Sequence, residues 1–447
     1  HSTSRRQRQM CIRDRYMIRV YETVLYKVVS VLEIKANCIS SKVKNQILPI
    51  LFAMITICAL FYSCTSVSVH LLIKCVIGSI ILVLIIFFSI DGKLRKPVWD
   101  KKIVGLWMIF GCIRMLSGFV TSIEYLPLAC VWLILFPMLF IVWSSRGDYD
   151  TLLISLYRGF VYPVMGFIIA SLIIVPITSE AFGGLAGNAN AVGQYICAVL
   201  PLILYKYNLI TTSKKEKFVL LIFMAVMIST VFYTRSRTTT LAAVTVGLVW
   251  LVWQKFFNSA EWKKILTIVA AISILSCGFT YGMLQINSTM HTSQKQQEAK
   301  IDDVVEGYVE RIEGKDKHAG GAENYSSGRI GIWKKVIESV NVFGHPSREH
   351  IVTDRNGDVG ANAHNNFLQF TYDQGIFGGV LFFGLCAVAF LKTICGVYQK
   401  RKYYNFILYN SVVFLLMSLV TSLNLPFLYI MSFSYYTGYA ILFNQKK

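Results

Sequence analysis

The chain has 447 residues, of which 55% are hydrophobic and only 15% are charged, and its mean hydropathy is +0.54. This composition is far more apolar than a soluble domain of this length requires, so it excludes an ordinary soluble enzyme and predicts a polytopic membrane protein. The formal net charge of +20 would suit a nucleic-acid-binding protein. Basic residues of membrane proteins gather in cytoplasmic loops, however, so no nucleic-acid partner is predicted.

The first sixteen residues, HSTSRRQRQMCIRDRY, carry five Arg and one Asp and have no apolar face. They look like translated adapter sequence, so residues 1–16 are expected to be non-native and Met17 to be a natural start. Residues 17–45 are basic and lead into a full-length span without a small-residue cleavage site. They are therefore predicted to be a cytoplasmic N-terminal segment rather than a cleaved signal peptide.

Apolar runs of about 20 residues, the length that crosses a hydrocarbon core of about 30 Å, define the predicted spans. The sequence contains twelve, at 46–63, 69–90, 103–120, 124–143, 153–177, 190–206, 217–233, 238–254, 264–283, 376–396, 405–422 and 426–443. The predicted fold class is therefore an all-α, polytopic membrane helix bundle. Nine helices fall within residues 46–283 and three within residues 376–447, and a large extracytoplasmic loop domain, 284–375, separates the ninth from the tenth.

The basic residues of the short loops give the helices an orientation. With the N-terminus inside, the successive inner loops hold five, one, four, three and four Lys or Arg residues. The outer short loops hold none at 64–68, 121–125, 178–189 and 423–425. Both termini are therefore predicted to be cytoplasmic.

One short outer loop departs from this pattern, because the sequence TRSR places Arg235 and Arg237 on the outer face. The pair indicates either an interfacial contact with lipid phosphates or an anion site. Three more cations, Lys74, Arg114 and Arg158, lie within predicted spans, where charge is costly and tends to face a cavity. Two of these, Lys74 and Arg158, are close enough to a span end to snorkel to the interface instead.

Two helices are predicted in the second half of the loop domain. Ser326 or Ser327 is a candidate N-cap for the first helix, which begins near Arg329. Its apolar residues recur at the spacing of an amphipathic helix that lies on the bundle: Ile330, Trp333, Ile337 and Val340. Asn362 is a candidate N-cap for the second helix, which runs to Gly375, where the chain can turn into the next span.

His364 would then lie in the first turn of the second helix, at the outer boundary of the membrane. The positive end of the helix dipole disfavours an imidazolium there, so we expect a neutral ring that can accept a proton. A single histidine beside a helix cap is also common as an ordinary polar residue. The catalytic interpretation therefore depends on the surrounding sequence.

Four pieces of sequence between about Gly187 and Gly379 resemble the O-antigen ligase family, which includes O-antigen ligases and O-antigen and capsule polymerases. They are GNANAVGQY, SRTTTLAAVTVGLVW, SGRIGIWKKVIESV, and FGHPSREH followed by AHNNFLQFTYDQGIFGG. The resemblance implies a glycosyltransferase of the bacterial inner membrane, which takes a glycan from undecaprenyl diphosphate on the extracytoplasmic side. The piece FGHPSREH departs from the commoner glycine-rich version of its motif.

The resemblance also implies residue roles. His364 falls on the family's essential histidine and is the expected general base, while Arg237 and Arg329 fall on the arginines of its SR and GR motifs. The expected ligands of the donor diphosphate are Arg237, Arg235, Arg329 and Arg158. The expected supporting residues are Asn365 and Asp373, which occupies the acidic position before the glycine of the final motif.

The chemistry of these residue types agrees with the implied reaction. A diphosphate leaving group needs charge neutralisation more than protonation, and arginine offers phosphate oxygens a permanent charge and a fork of donors. A sugar hydroxyl needs a base to remove its proton, and attack from the side opposite the diphosphate inverts the anomeric centre. No metal ion or cofactor is predicted, because cysteines and histidines do not cluster at metal-ligand spacings.

The predicted partners are an undecaprenyl diphosphate-linked glycan donor, a glycan or lipid A-core acceptor, and membrane lipid. Ligase and polymerase share the motifs and differ in acceptor, so both stay open. The alternative function is a lipid-linked oligosaccharide flippase. A flippase should show two related halves with deep cations in both and no large outer cap, a pattern that this sequence does not have.

Overall fold

The chain folds as a bundle of long apolar helices. The computed structural model describes residues 2–64, 71–146, 148–178, 180–209, 211–256, 260–290, 306, 309, 329–346, 351–353, 360–427 and 429–444. The first eleven helices are α1 (Ser2–Ala36), α2 (Ser41–Cys64), α3 (Leu71–Ser89), α4 (Lys101–Val120), α5 (Leu126–Cys130), α6 (Phe136–Ser145), α7 (Tyr149–Ile174), α8 (Ala189–Asn208), α9 (Lys214–Thr234), α10 (Arg237–Phe256) and α11 (Trp262–Met290). A π turn over Val131–Leu135 joins α5 to α6.

The remaining helices follow the predicted loop domain or lie within it. They are α12 (Arg329–Glu338), α13 (Asn366–Tyr398), α14 (Tyr404–Ser418), α15 (Ile430–Thr437) and α16 (Tyr439–Leu442). A short antiparallel pair joins β1 (Val352–Thr353) to β2 (Gly360–Ala361). The first half of the loop domain from residue 291 falls almost wholly outside the described residues, as do both candidate caps of α12, Ser326 and Ser327.

Within the described residues, nine helices are long and apolar enough to cross a membrane, and each corresponds to a predicted span. The other three predictions fare differently. Residues 190–206 form α8, which is not one of the nine; residues 405–422 form the 15-residue α14; and residues 426–443 are divided between α15 and α16. The membrane helix bundle is therefore confirmed, whereas the count of twelve is not.

Helix α14 is shorter than predicted because its continuation is polar. The stretch Ser418 to Asn424 binds α13 through the side chains of Ser418 and Asn424 and the backbone N–H of Leu423, and Pro426 lacks the N–H that a helix interior needs. The chain beyond Ser418 therefore becomes part of the candidate site.

The N-terminal helix packs along the bundle, which the cytoplasmic assignment of residues 17–45 did not anticipate. Leu25 and Val29, four residues apart on α1, are buried. The hydroxyl of Tyr21 donates a hydrogen bond to the carbonyl of Leu133, which lies within the span that contains the π turn. Part of α1 therefore lies beside membrane-spanning helices.

Aromatic packing holds α4 against α13. The ring of Phe110 lies 5.4 Å from that of Phe370 and 5.6 Å from that of Phe382, and the indole N–H of Trp107 donates to the carbonyl of Trp132 at 2.7 Å. Such edge and tilted contacts fix the relative position of the helices. They position the first turns of α13, where the candidate site begins.

The two ends of the bundle differ in charge. At one end, the ammonium of Lys402 lies 2.8 Å from Asp150 at the start of α7, and that of Lys392 lies 2.8 Å from Asp100 at the start of α4. This end also begins α9 with Lys214, and we call it the lysine-rich end. The opposite end carries the starts of α8, α10 and α13, and we call it the His364 end.

Candidate functional site

His364 lies immediately before α13 and not in its first turn. The N-cap is Asn365, whose side-chain oxygen accepts from the N–H groups of Phe367 and Leu368 at 3.0 and 3.1 Å. The predicted cap, Asn362, instead accepts the backbone N–H of His364 at 2.9 Å. His364 has a left-handed backbone, with φ 45°. A right-handed helix does not accommodate that conformation, so α13 begins after it.

The stretch around residues 341–345 crosses α13 near Gly375, and backbone hydrogen bonds join the two segments. The N–H of His345 donates to the carbonyl of Tyr372, and that of Ile376 donates to Asn341, both at 2.9 Å. Gly375 interrupts α13 with φ 74°, which confirms the predicted turn. A Cβ atom at Gly375 would collide with the carbonyl of Val342, so only glycine fits here. The piece that begins FGH is thus held against the YDQG stretch.

Helix α12 lies beside His364. The indole N–H of Trp333 donates to the carbonyl of Ala363 at 2.9 Å. Arg329 lies one turn before Trp333 on the same face of the helix. Burial, and next the positive charge of Arg329, lower the pKa of the His364 imidazole below its ordinary value. A neutral ring is therefore favoured, but for reasons other than the predicted helix dipole.

The apolar face predicted for α12 is wrong in part. Val336 is the fully buried residue, and it packs with Ala363 and Tyr372. Ile330 and Ile337 are 43% and 62% exposed. Helix α12 contacts α13 through the face that carries Trp333 and Val336, because the indole nitrogen of Trp333 anchors the helix by a hydrogen bond. The spacing of apolar residues does not reveal a hydrogen bond of this kind.

Asn365 and Asp373 support the backbone around His364 and do not bind its ring. Asn365 caps α13 and donates its amide to the carbonyl of Leu419 at 3.1 Å. The buried Asp373 carboxylate accepts from Gln369 at 2.8 Å and from Asn424 at 3.0 Å. The side-chain oxygen of Gln369 in turn accepts the N–H of Ala363 at 2.8 Å. Among the described residues the imidazole makes no hydrogen bond, and His364 is half-buried.

Gln369 and Asn424 are site residues that the sequence-based assignment missed, and Arg114, which it left open as a cation within a span, joins them. Arg114 on α4 is 1% exposed, and its guanidinium lies 5.4 Å from the ring of Phe370 and 5.8 Å from that of Trp132. Its charge acts on the Asp373 carboxylate. The sequence did carry signals for two of them: a cation inside a span, and a Gln four residues before an Asp on one helix.

Arg235 and Arg237 flank the junction between α9 and α10. Arg235 ends α9 in a left-handed conformation, with φ 50°, and is 8% exposed, so it is more enclosed than the surface pair we predicted. Arg237 begins α10 and is half-buried. Between them, Ser236 donates from its hydroxyl to the side-chain oxygen of Asn190 at 3.1 Å, which ties the junction to the first turn of α8.

A short chain of hydrogen bonds connects this junction to His364. Gln194 lies one turn after Asn190 on α8 and donates to the hydroxyl of Thr421 at 3.1 Å. The next residue, Ser422, donates to Asn362 at 3.2 Å, and Asn362 accepts the backbone N–H of His364. The arginine junction and the histidine turn therefore lie at the same end of the bundle.

Arg158 is not brought to this group. It is exposed on α7, whose first turn carries Asp150 at the lysine-rich end. Ser171, near the other end of α7, accepts the N–H of Leu185 just before α8. Thirteen residues separate Arg158 from Ser171, which corresponds to about 20 Å along a helix. Its charge therefore lies far from the His364 end.

Part of the chain is similar to a known protein family. Residues 222–383 match the family model described as O-Antigen ligase. The match runs from within α9 to the middle of α13 and contains three of the four resembling pieces, while GNANAVGQY precedes it. No curated protein matches the chain. The domain and the apolar helices indicate a multi-pass bacterial membrane protein with a glycosyltransferase-type function. We therefore assign residues 222–383 to the O-antigen ligase family.

Proposed function

We propose that this protein transfers a glycan from undecaprenyl diphosphate to a sugar hydroxyl. The acceptor is either lipid A-core, in a ligation, or the next O-antigen or capsular repeat unit, in a polymerisation. The observation that carries the proposal is the path from Ser236 to the turn of His364, which combines three side-chain hydrogen bonds with one turn of α8 and the neighbours Thr421 and Ser422. It supports a single site that holds both the cations and the base.

The donor diphosphate binds to Arg237, Arg235 and Arg329. Guanidinium groups match phosphate oxygens in charge and geometry, and they act strongly where water is excluded. The first turns of α8, α10 and α13 also meet at this end, so their positive dipole ends favour an anion. These groups supply positive charge without a metal ion. Arg158 has no part in this assignment, because it lies toward the lysine-rich end.

His364 is the general base. Its neutral imidazole takes the proton of the acceptor hydroxyl while that oxygen bonds to the anomeric carbon of the donor sugar. The bond from this carbon to the diphosphate oxygen breaks, and the electron pair leaves with undecaprenyl diphosphate. Attack opposite the leaving group inverts the anomeric centre. The proton then passes from His364 to solvent on the extracytoplasmic side, which we assign to the His364 end.

His364→Asn is the sharpest test, because asparagine tolerates the left-handed backbone and removes the base. Purified protein in proteoliposomes would receive an undecaprenyl diphosphate glycan and each candidate acceptor. We expect glycan transfer to fall by a factor of about 100 or more, as for loss of a general base, while donor binding persists.

His345→Asn is the control on a histidine of the same region. Its ring stacks on Tyr372 at 4.1 Å and bonds the carbonyl of Ser339, so we assign it a structural role. This variant should lose stability but keep the pH dependence of the remaining activity. Full transfer by His364→Asn would refute the base, and movement of the donor between leaflets without a new glycosidic bond would favour a flippase.

A further inference from the structure

Helices α9 and α10 diverge from a very short junction. Only Arg235 and Ser236 connect them, yet α9 packs on α8 and α11 whereas α10 packs on α8 and α14. A groove of about 370 Å³ opens between α10 and the α9 and α11 pair, with α8 as its floor. This volume falls in the range of ordinary ligand sites, roughly 300 to 1,000 Å³.

The groove is lined almost entirely by apolar side chains. Leu204 of α8, Ile228 of α9, Leu248 of α10 and Ile272 of α11 represent its four walls. Leu248 is 57% exposed, which is expected of a side chain that faces hydrocarbon. On α10, Gly247 faces the open space of the groove, because a Cβ atom there would meet nothing within 4 Å.

One end of the groove adjoins the arginine junction. Thr240, which lines the groove, donates from its hydroxyl to the carbonyl of Ser236 at 3.0 Å. Phe232, on the facing wall, accepts the backbone N–H of Arg235 at 3.2 Å. From Thr240 the groove follows α10 to Leu251, which corresponds to about 16 Å. The junction that carries Arg235 and Arg237 thus adjoins one end of a long apolar groove.

We propose that this groove holds the polyprenyl chain of the lipid diphosphate donor, with its diphosphate at Arg235 and Arg237. This inference rests on the proposed function and locates the lipid part of its donor. An anionic head joined to one long apolar chain matches two adjacent guanidinium groups above one apolar groove. A phospholipid would bring one phosphate to two cations and would leave its second acyl chain outside.

Gly247→Phe places a ring in the groove from a Cβ position that meets no protein atom within 4 Å. Gly278→Phe is the matched control, because Gly278 on α11 has equally open surroundings and does not line the groove. The probes are undecaprenyl diphosphate and geranyl diphosphate, with binding measured in nanodiscs. Gly247→Phe should weaken the binding of undecaprenyl diphosphate by about tenfold, the effect of removing about two methylene groups from apolar contact. Binding of the short-chain probe, and of both probes to Gly278→Phe, should match the unaltered protein.

The outcomes separate the two proposals. Failure of the unaltered protein to bind undecaprenyl diphosphate would refute the proposed function. Tight binding by the unaltered protein and by Gly247→Phe alike would refute only the groove, as would equal weakening by Gly278→Phe. Should Gly247→Phe not fold, an undecaprenyl diphosphate with a photoreactive chain should label α9 and α10 of the unaltered protein. Labelling confined to other helices would overturn the inference.

Discussion

Around His364, backbone and side chain have separate tasks. Asn362 accepts the backbone N–H of His364, Asn365 accepts that of Phe367, and His364 between them has a left-handed backbone. Strained conformations of this kind persist where the surroundings over-determine them, often at functional sites. Here Trp333 and Gln369 hold the neighbouring Ala363 through its carbonyl and its N–H.

Arg329→Gln tests the electrostatic link to the base. Arg329 lowers the pKa of His364, so its removal should raise that pKa. The protonated ring cannot accept a proton, so activity should be lost at a higher pH than in the unaltered protein. The measurement is the acid limb of kcat/KM against pH.

Lys334→Gln is the control for this shift. Lys334 lies on the same helix with its side chain 77% exposed, so its charge is screened by solvent. The acid limb of kcat/KM against pH should lie at the same pH in Lys334→Gln as in the unaltered protein. An unmoved limb in Arg329→Gln would contradict the placement of Arg329 beside the base, whatever the change in absolute rate.

The buried Arg114 guanidinium and Asp373 carboxylate interact electrostatically. A double-mutant cycle can measure the free energy of this interaction. Arg114→Met and Asp373→Asn should each lower the free energy of unfolding by roughly 1 to 3 kcal/mol, because each removes the buried countercharge of the other group. The double variant should lose less than the sum, with a coupling of about 0.5 kcal/mol or more. Thermal unfolding in detergent would provide these values, and strict additivity would contradict the coupling.

At the scale of elements, the crossing at Gly375 couples the loop domain to α13. The backbone bonds of His345 and Ile376 lie on either side of it, so the loop cannot shift without disturbing the helix that follows His364. The same device explains why one membrane helix contains a non-helical residue. Both the crossing and the interruption of α13 require a glycine with φ 74° at this position.

Gly375→Ala should therefore destabilise the protein by at least about 1 kcal/mol, since alanine resists a positive φ and its Cβ would meet Val342. Glycan transfer should fall with it, because the loop domain carries Arg329. Gly384→Ala on the same helix has open surroundings and should be neutral or stabilising. Unfolding midpoints and transfer rates of the two variants provide the comparison. Equal behaviour would contradict the crossing.

Local sequence predicted what depends on neighbours along the chain. The spans, the turn at Gly375 and the helix at Trp333 follow from apolar runs, a glycine and helical spacing. The resemblance supplied His364, Arg237 and Arg329. The path from Asp373 through Gln369 to Ala363, and the distance of Arg158 from the site, depend on contacts between distant segments. Periodicity carries no information on such contacts, and it also misplaced the cap from Asn365 to Asn362.

At the scale of the whole molecule, cysteine labelling can test the orientation of the helix bundle in the membrane. In a background whose exposed cysteines are replaced by serine, Lys334→Cys on α12 should react with a membrane-impermeant maleimide in intact spheroplasts. Lys400→Cys, in the basic turn after α13, should react only after permeabilisation. The reverse pattern would place the His364 end in the cytoplasm and contradict the assigned side.

The short helix α14 has a consequence for how a sugar reaches the base. Its 15 residues span about 22 Å, less than the roughly 30 Å of a hydrocarbon core. The missing turns are those at the His364 end, where Ser418 and Leu419 bind the start of α13. No residue of α14 is exposed, so protein rather than lipid surrounds this helix. The polar groups at its end would give a hydrophilic glycan hydrogen-bonding partners on its way to the imidazole.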